Sequence, residues 1–210
     1  MNIPHDTTTG AVLATLLAHA AIIRICHFAS AVFATWAPRL HERYKDSFEA
    51  LLAHDNSLVR NFVASVWAAV AFNFGPQTVT YRHRDSHNIP YGWCAITALG
   101  TFNYLLGGHL VLWDLKLVIQ FPPGSTILLP SAIVEHSNTS IGLHETRYSI
   151  TQFSAGGLFR WVDQGFQSQG RFFETLNKQE HDAYMAGRTH HWANGLKYFS
   201  TLDELDIKSK

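Results

Sequence analysis

A chain of 210 residues that is 47% hydrophobic and 15% charged has the length of one domain and enough apolar mass to bury a sizeable core. Its 16 basic and 16 acidic side chains cancel. The basic excess of a typical nucleic-acid binder is therefore absent, and any such binding needs a local basic patch. Two cysteines, Cys26 and Cys94, make no disulfide framework and suit a reducing, intracellular compartment.

Residues 10 to about 72 read as helical, since alanine and leucine dominate there and Gly and Pro are scarce. The apolar run 11–23, broken by His19 and closed by Arg24, is shorter than the ~20 residues of a membrane span and lacks the basic start of a signal peptide. It is expected to be a buried helix. Pro38 interrupts after Trp36-Ala37. Helix-like spacing returns over 44–52 and 58–72, with Asp55-Asn56-Ser57 offering capping groups between them.

The texture changes at Gly75-Pro76. Strands are expected over 77–83, 91–99, 109–113, 115–121, 125–129, 132–136 and 146–153, with turns at Gly107-Gly108 and Pro122-Pro123-Gly124. Many short strands separated by frequent turns predict a sandwich or jelly roll. Residues 171–188 are helical again, with Phe172, Phe173, Leu176 and Tyr184 as expected buried contacts, and 203–210 form a frayed tail. The fold class is thus α+β: a double-stranded β-helix (76–165) with N-terminal helical support (1–75) and a C-terminal helix and tail (166–210), all in one domain.

Chemistry concentrates in the second half. His83-Arg84-Asp85 places an imidazole and a carboxylate two residues apart, on one face of a strand. His136, after the Pro-Gly turn, supplies a second imidazole. Two His and one carboxylate are the ligand set of non-haem Fe(II) oxygenases. His144 is the competing distal ligand, but it falls in the Gly142-Leu143 turn, so His136 is preferred. With 13 histidines in the chain most are structural or exposed, and His87 and His109 are read as surface groups. The absence of thiolate near the cluster argues against structural zinc.

Eleven residues after His136 comes Arg147-Tyr148-Ser149. An arginine can grip the far carboxylate of 2-oxoglutarate bidentately, and a serine on the same strand face adds a hydroxyl donor. The expected cofactors are Fe(II), 2-oxoglutarate as co-substrate, and O₂. The co-substrate would be oxidised to succinate and CO₂ while a nearby C–H is hydroxylated.

At these residues the sequence resembles the TET/JBP-like dioxygenases, particularly the copies found in basidiomycete fungi. The resemblance covers roughly 73–165. It rests on His83-Arg84-Asp85-Ser86-His87-Asn88, Ala98-Leu99-Gly100, Gly107-Gly108-His109-Leu110, Phe121-Pro122-Pro123-Gly124-Ser125, His136-Ser137-Asn138 and Arg147-Tyr148-Ser149. It implies His83, Asp85 and His136 as iron ligands, Arg147 and Ser149 as co-substrate anchors, and Asn88 as a base contact. Members oxidise the methyl of 5-methylcytosine, and some act on N6-methyladenine, in DNA. The chain departs from the pattern eight residues after the arginine. The DNA-oxidising members carry a base-contacting His there and this chain has Ala155, followed by Gly156-Gly157. Cytosine recognition loses that contact, and a small residue could admit a larger base.

The resemblance implies methylated DNA as partner, with nuclear placement under the DNA reading, and the shortness of the apolar run 11–23 implies no membrane. Base flipping would go with it, and Tyr91, Trp93 or Trp161 could stack on the flipped base, although two of those three are expected to be core. The rivals are the same chemistry on a protein side chain or small molecule, and a non-catalytic jelly-roll binding module.

Overall fold

The computed structural model describes residues 6–205. Its described residues divide into two compact units, one formed by 6–66 and 156–205 and the other by 67–155. The first is helical, and the second carries two antiparallel sheets.

In the helical unit, α1 (Thr7–Ala18), α2 (Ala20–Trp36) and α3 (Pro38–His54) follow one another with minimal links. Ala37 leaves helical geometry at φ −143° and Pro38 starts α3 at its first turn, where its missing N–H is no loss. Cys26, Ala29, Ser30 and Phe33 form the buried stripe of α2, and Leu40, Tyr44, Ser47, Phe48 and Leu51 that of α3. Phe33 meets Tyr44 edge-on at 5.3 Å. Tyr44 in turn meets Phe159 of α4 (Gly156–Asp163) at 4.8 Å. Each such fully buried aromatic contributes roughly 1.5–3 kcal/mol of transfer free energy.

The expectation of a buried helix over 11–23 is corrected. No residue of α1 is buried. His19 adopts an extended conformation that splits the run, and the two helices meet at a 64° bend. No single helix among the described residues is long and apolar enough to cross a membrane.

The helical reading of 58–72 is also corrected. Asp55 Oδ1 accepts the Ser57 N–H and closes a turn, no helix follows, and Ala69–Asn73 is a strand, β1. Its partner lies some eighty positions downstream, so sheet pairing overrides local spacing.

At the other end, 171–188 is two helices, α5 (Gln169–Thr175) and α6 (Lys178–Arg188). Asn177 and Glu180 form a capping box between them. A further short helix, α7 (His191–Leu196), follows. Phe172, Phe173 and Tyr184 pack on one another with centroids 5.3–6.0 Å apart but are half-buried. Of the expected tail, 206–210 lie outside the described residues.

The sheet unit contains β1, β2 (Cys94–Thr101), β3 (Leu110–Leu112), β4 (Leu117–Ile119), β5 (Thr126–Leu129), β6 (His136–Asn138) and β7 (Thr146–Phe153). One sheet runs β1-β7-β2-β5 and the other β4-β3-β6, with every ladder antiparallel. Cys94, Ala98 and Leu129 of the first share a core with Leu110 and Leu112 of the second, joined by Phe102, Phe121 and Val134. The expected combination of helices and many short strands is present, the strands forming two antiparallel sheets.

Two strand readings change. Residues 77–83 form no continuous strand. Gln77 bridges Arg147 in one sheet while His83 bridges His136 in the other, so the segment crosses between sheets. His136 opens β6 instead of closing a strand over 132–136, because 131–133 is a turn.

Candidate active site

The crossing segment positions the first ligands. His83 and His136 exchange backbone hydrogen bonds, N to O at 3.1 and 2.9 Å, which sets their rings side by side with centroids 4.3 Å apart. The Asp85 N–H donates to the Ser131 carbonyl at 2.9 Å, fixing the carboxylate beside them. One donor atom from each of His83, Asp85 and His136 lies within 4.8 Å of the others. Pairing through the main chain, rather than alternation on one strand, brings them together.

The imidazole tautomers follow from their partners. His83 Nδ1 lies 2.8 Å from the Tyr81 carbonyl and His136 Nδ1 lies 2.9 Å from the Val134 carbonyl. A carbonyl only accepts, so both Nδ1 atoms carry the proton, and each neutral ring keeps its Nε2 lone pair for a metal. Burial lowers the His136 pKa below its ordinary 6.5, which favours that neutral form. Cys94, behind Ser131, is a thiol pushed up to about 12 by burial, so it supplies no thiolate. Two neutral imidazoles and a carboxylate, with no thiolate, fit Fe(II).

The His136 shift has a consequence for stability. Folded His136 binds its proton less tightly than an unfolded histidine, so below about pH 6.5 the unfolded chain holds more protons. The stability of the metal-free protein should therefore decline as pH falls through that region. Denaturant midpoints between pH 5 and 8 would check it, with a flat profile as the contrary result.

The second element is Arg147. Along β7, Arg147, Ser149, Thr151 and Phe153 face inward at period two and line a cavity of ≈ 410 Å³ between the sheets, together with the three candidate ligands. Arg147 is 3% exposed. Its Nη1 donates to the Thr78 carbonyl at 3.2 Å, its Nε has no partner, and no carboxylate pairs with it among the described residues. Burial lowers its pKa below the arginine norm. An uncompensated buried cation is costly, so a cavity holding one is suited to an anion. Ser149 Oγ accepts from Asn73 Nδ2 at 2.9 Å, which leaves the serine hydrogen to donate into the cavity. A dicarboxylate that chelates the metal at one end and meets Arg147 and Ser149 at the other fits this donor set.

Two glycines allow the close packing around Arg147. A Cβ at Gly75 would meet the Arg147 carbonyl at 2.7 Å, and one at Gly100 would clash with the Thr146 carbonyl. Gly100 also sits at φ +116°, a conformation other residues adopt only under strain. Gly100→Ala should cost at least about 1–3 kcal/mol from strain alone, read as a lower urea midpoint. An unchanged midpoint would show that β2 and β7 can separate there at no cost.

Asn88 lines the same cavity. Its Nδ2 points inward, 3.4 Å from Asp85 Oδ2 and 3.2 Å from Ser131 Oγ. Its backbone bridges Ala155, so the position where the resemblance expects a base-contacting His lies beside it. His144 is exposed in a turn and does not line the cavity. His87 is exposed at the cavity wall and His109 is half-buried away from it. Tyr91 and Trp93 are half-buried and line no part of the cavity, and Trp161 is an exposed residue of the helical unit. Asn73 and Ser131 adjoin the candidate site without a sequence signal, and Asn138, part of the His136-Ser137-Asn138 motif, lines the cavity. Each is a single polar residue whose role depends on a distant partner, as when Asn138 Oδ1 accepts the Thr80 N–H at 2.7 Å.

No family profile matches the chain, and no curated protein matches it. A solved structure does. NgTET1 in complex with 5mC DNA superposes with a TM-score of 0.53 at 16% identity, covering 72% of this chain and 55% of that one. The fold is therefore similar to that of NgTET1, and the chain spans little more than half of that structure's length. The viral collagen prolyl hydroxylase vCPH from Paramecium Bursaria Chlorella virus-1, in its 2OG complex, covers 52% of this chain and 69% of its own at 14% identity. Its TM-score of 0.30 is too low to carry an argument.

Proposed function

We propose that this chain is an Fe(II)/2-oxoglutarate-dependent dioxygenase, built on a double-stranded β-helix, that oxidises a methyl group of a nucleobase in DNA. One observation carries the reading. A two-histidine, one-carboxylate donor set and a buried arginine without a counter-charge share a single cavity. A structural metal site has no use for the arginine, and a simple anion site has no use for the triad.

His83, Asp85 and His136 would hold the metal, with both imidazoles fixed in the required tautomer by their own backbone. Arg147 and Ser149 would hold the distal carboxylate of 2-oxoglutarate and orient the molecule. The cofactor set supplies the oxidising power: 2-oxoglutarate, O₂ and a substrate C–H become succinate, CO₂ and an alcohol. The apolar lining from Ile96, Leu110 and Phe153 would exclude water while substrate is held.

The nucleobase half rests on the motif resemblance, on the likeness to NgTET1 and on Asn88. A carboxylate only accepts, so the Asn88 amide must turn its N–H groups to Asp85 and Ser131, which leaves its Oδ1 as an acceptor. The exocyclic amine of methylcytosine or methyladenine is a matching donor. Ala155 beside it leaves more room than a histidine would, which favours the larger base. The basidiomycete branch within the family rests on the motifs alone.

The second reading is the same chemistry on a protein side chain or small molecule. It is favoured by one feature: among the residues lining the cavity, Phe153 is the one large aromatic available to stack on a base. Mass spectrometry of nucleosides from duplex DNA containing 5-methylcytosine or N6-methyladenine, after incubation with Fe(II), 2-oxoglutarate and O₂, decides between them. Oxidised methyl products in one of the two DNAs support the nucleobase reading. Loss of 2-oxoglutarate without any modified base would move the substrate elsewhere.

A further inference from the structure

We propose that Ser131 and Asn88 form a brace that sets the orientation of the Asp85 carboxylate, making Ser131 a positioning residue of the metal centre. This rests on the reading of His83, Asp85 and His136 as metal ligands.

The argument begins with exposure. The Asp85 side chain is 31% exposed on a turn, where an aspartate ordinarily samples several rotamers. A metal ligand must be held in one of them. Four contacts on the inner side of this turn do so. The Asn88 N–H donates to the Asp85 carbonyl at 2.9 Å, closing the turn and placing the amide under the carboxylate. Asn88 Nδ2 then lies 3.4 Å from Asp85 Oδ2 and 3.2 Å from Ser131 Oγ. The Ser131 carbonyl accepts the Asp85 N–H at 2.9 Å. Ser131 thus holds the backbone of Asp85 directly and its carboxylate through Asn88.

Ser131 itself is 1% exposed, anchored by its own N–H to the Leu129 carbonyl at 2.8 Å, and its hydroxyl also meets the buried Cys94 thiol. It lies five residues before His136 in the turn that leads into β6. One buried residue therefore ties the carboxylate ligand to the segment carrying the distal imidazole. Asn88 faces the cavity and would also meet substrate, but Ser131 is not among the residues lining the cavity. The Ser131 hydroxyl therefore reaches the carboxylate ligand through Asn88 and not through the cavity.

Outer partners of metal ligands, when removed, typically cost 10–100-fold in metal affinity. Co(II) is the probe, titrated anaerobically into wild type, Ser131→Ala, Asn88→Ala and the double variant. Affinity and the visible ligand-field spectrum are read without 2-oxoglutarate or substrate. The brace predicts a 10–100-fold weaker Co(II) affinity and an altered spectrum in each single variant. It predicts a double variant no more than about twofold worse than the weaker single, since both remove one chain of contacts. Thermal midpoints of the metal-free proteins should move by no more than about 5 °C.

Unchanged affinity and spectrum in both single variants would overturn the brace, as would losses that multiply in the double variant. Should Ser131→Ala fail to fold, Asn88→Ala alone decides by the same criterion. Wild type that binds Co(II) yet makes no succinate contradicts the proposed activity and leaves the brace standing. Wild type that binds no Co(II) removes the metal centre and the brace with it.

Discussion

The His136→Ala variant should bind Fe(II) too weakly to turn over, with succinate formation falling to background. Three donor atoms within 4.8 Å make the site, and this substitution deletes the buried one. His83 and Asp85 are partly exposed, so the remaining pair would be a solvated two-ligand site of the kind that occurs on many surfaces without a metal. The fold should survive. The bridge between His83 and His136 is made by main-chain atoms, which alanine keeps. What is lost is the ring and its hydrogen bond to the Val134 carbonyl, at a cost of about 1–3 kcal/mol. Far-UV circular dichroism with anaerobic Fe(II) titration separates loss of metal from loss of fold. Full turnover in the variant would transfer the distal ligand to another residue.

The Arg147→Ala variant should show a different pattern, weak 2-oxoglutarate binding in a protein that still holds metal. Truncating one partner of a buried, hydrogen-bonded charge pair costs about 2–5 kcal/mol, or roughly thirty- to several-thousand-fold in affinity. Arg147→Lys should recover only part of this, because an ammonium cannot reproduce the planar fork. The metal-free, ligand-free variant should be as stable as wild type or more so, since a buried cation with an unpartnered Nε is removed. The pair of results is diagnostic. An arginine serving the fold would lower stability when removed, whereas one serving an anion lowers ligand affinity and leaves the empty protein intact. A rise in apparent KM for 2-oxoglutarate with unchanged Co(II) affinity is the expected readout, and an unchanged KM would place the anchor elsewhere.

What could be read from the sequence is what local spacing controls. His83-x-Asp85 and Arg147-x-Ser149 are two-residue patterns. The Pro122-Pro123-Gly124 turn is set by its own residues, Gly124 sitting at φ +86° with the Ser125 N–H donating back to Pro122. β7 is an eight-residue alternating strand found where expected. The misread parts depend on distant partners. Ala69–Asn73 lies in an alanine-rich stretch whose spacing suits a helix, and it is a strand because β7 offers it an edge. Residues 77–83 have strand-like composition, but their pairing switches sheets between Gln77 and His83, and composition carries no trace of that. In the same way nothing adjacent to Ser131 or Asn73 marks them. Their importance comes from Asp85 and Asn88 in one case and Ser149 in the other. α1 shows the converse, an apolar segment whose composition suggests burial that the bend at His19 prevents.

The central claim, that His83, Asp85 and His136 form an oxygen-activating centre served by 2-oxoglutarate, is tested most directly by succinate formation. Wild type and His136→Ala would be run side by side with Fe(II), 2-oxoglutarate and O₂, with and without methylated DNA. The account predicts succinate from wild type, increased by the DNA, and none above background from His136→Ala. Equal succinate from the two proteins, or none from wild type that binds Fe(II) in the presence of methylated DNA, would contradict it.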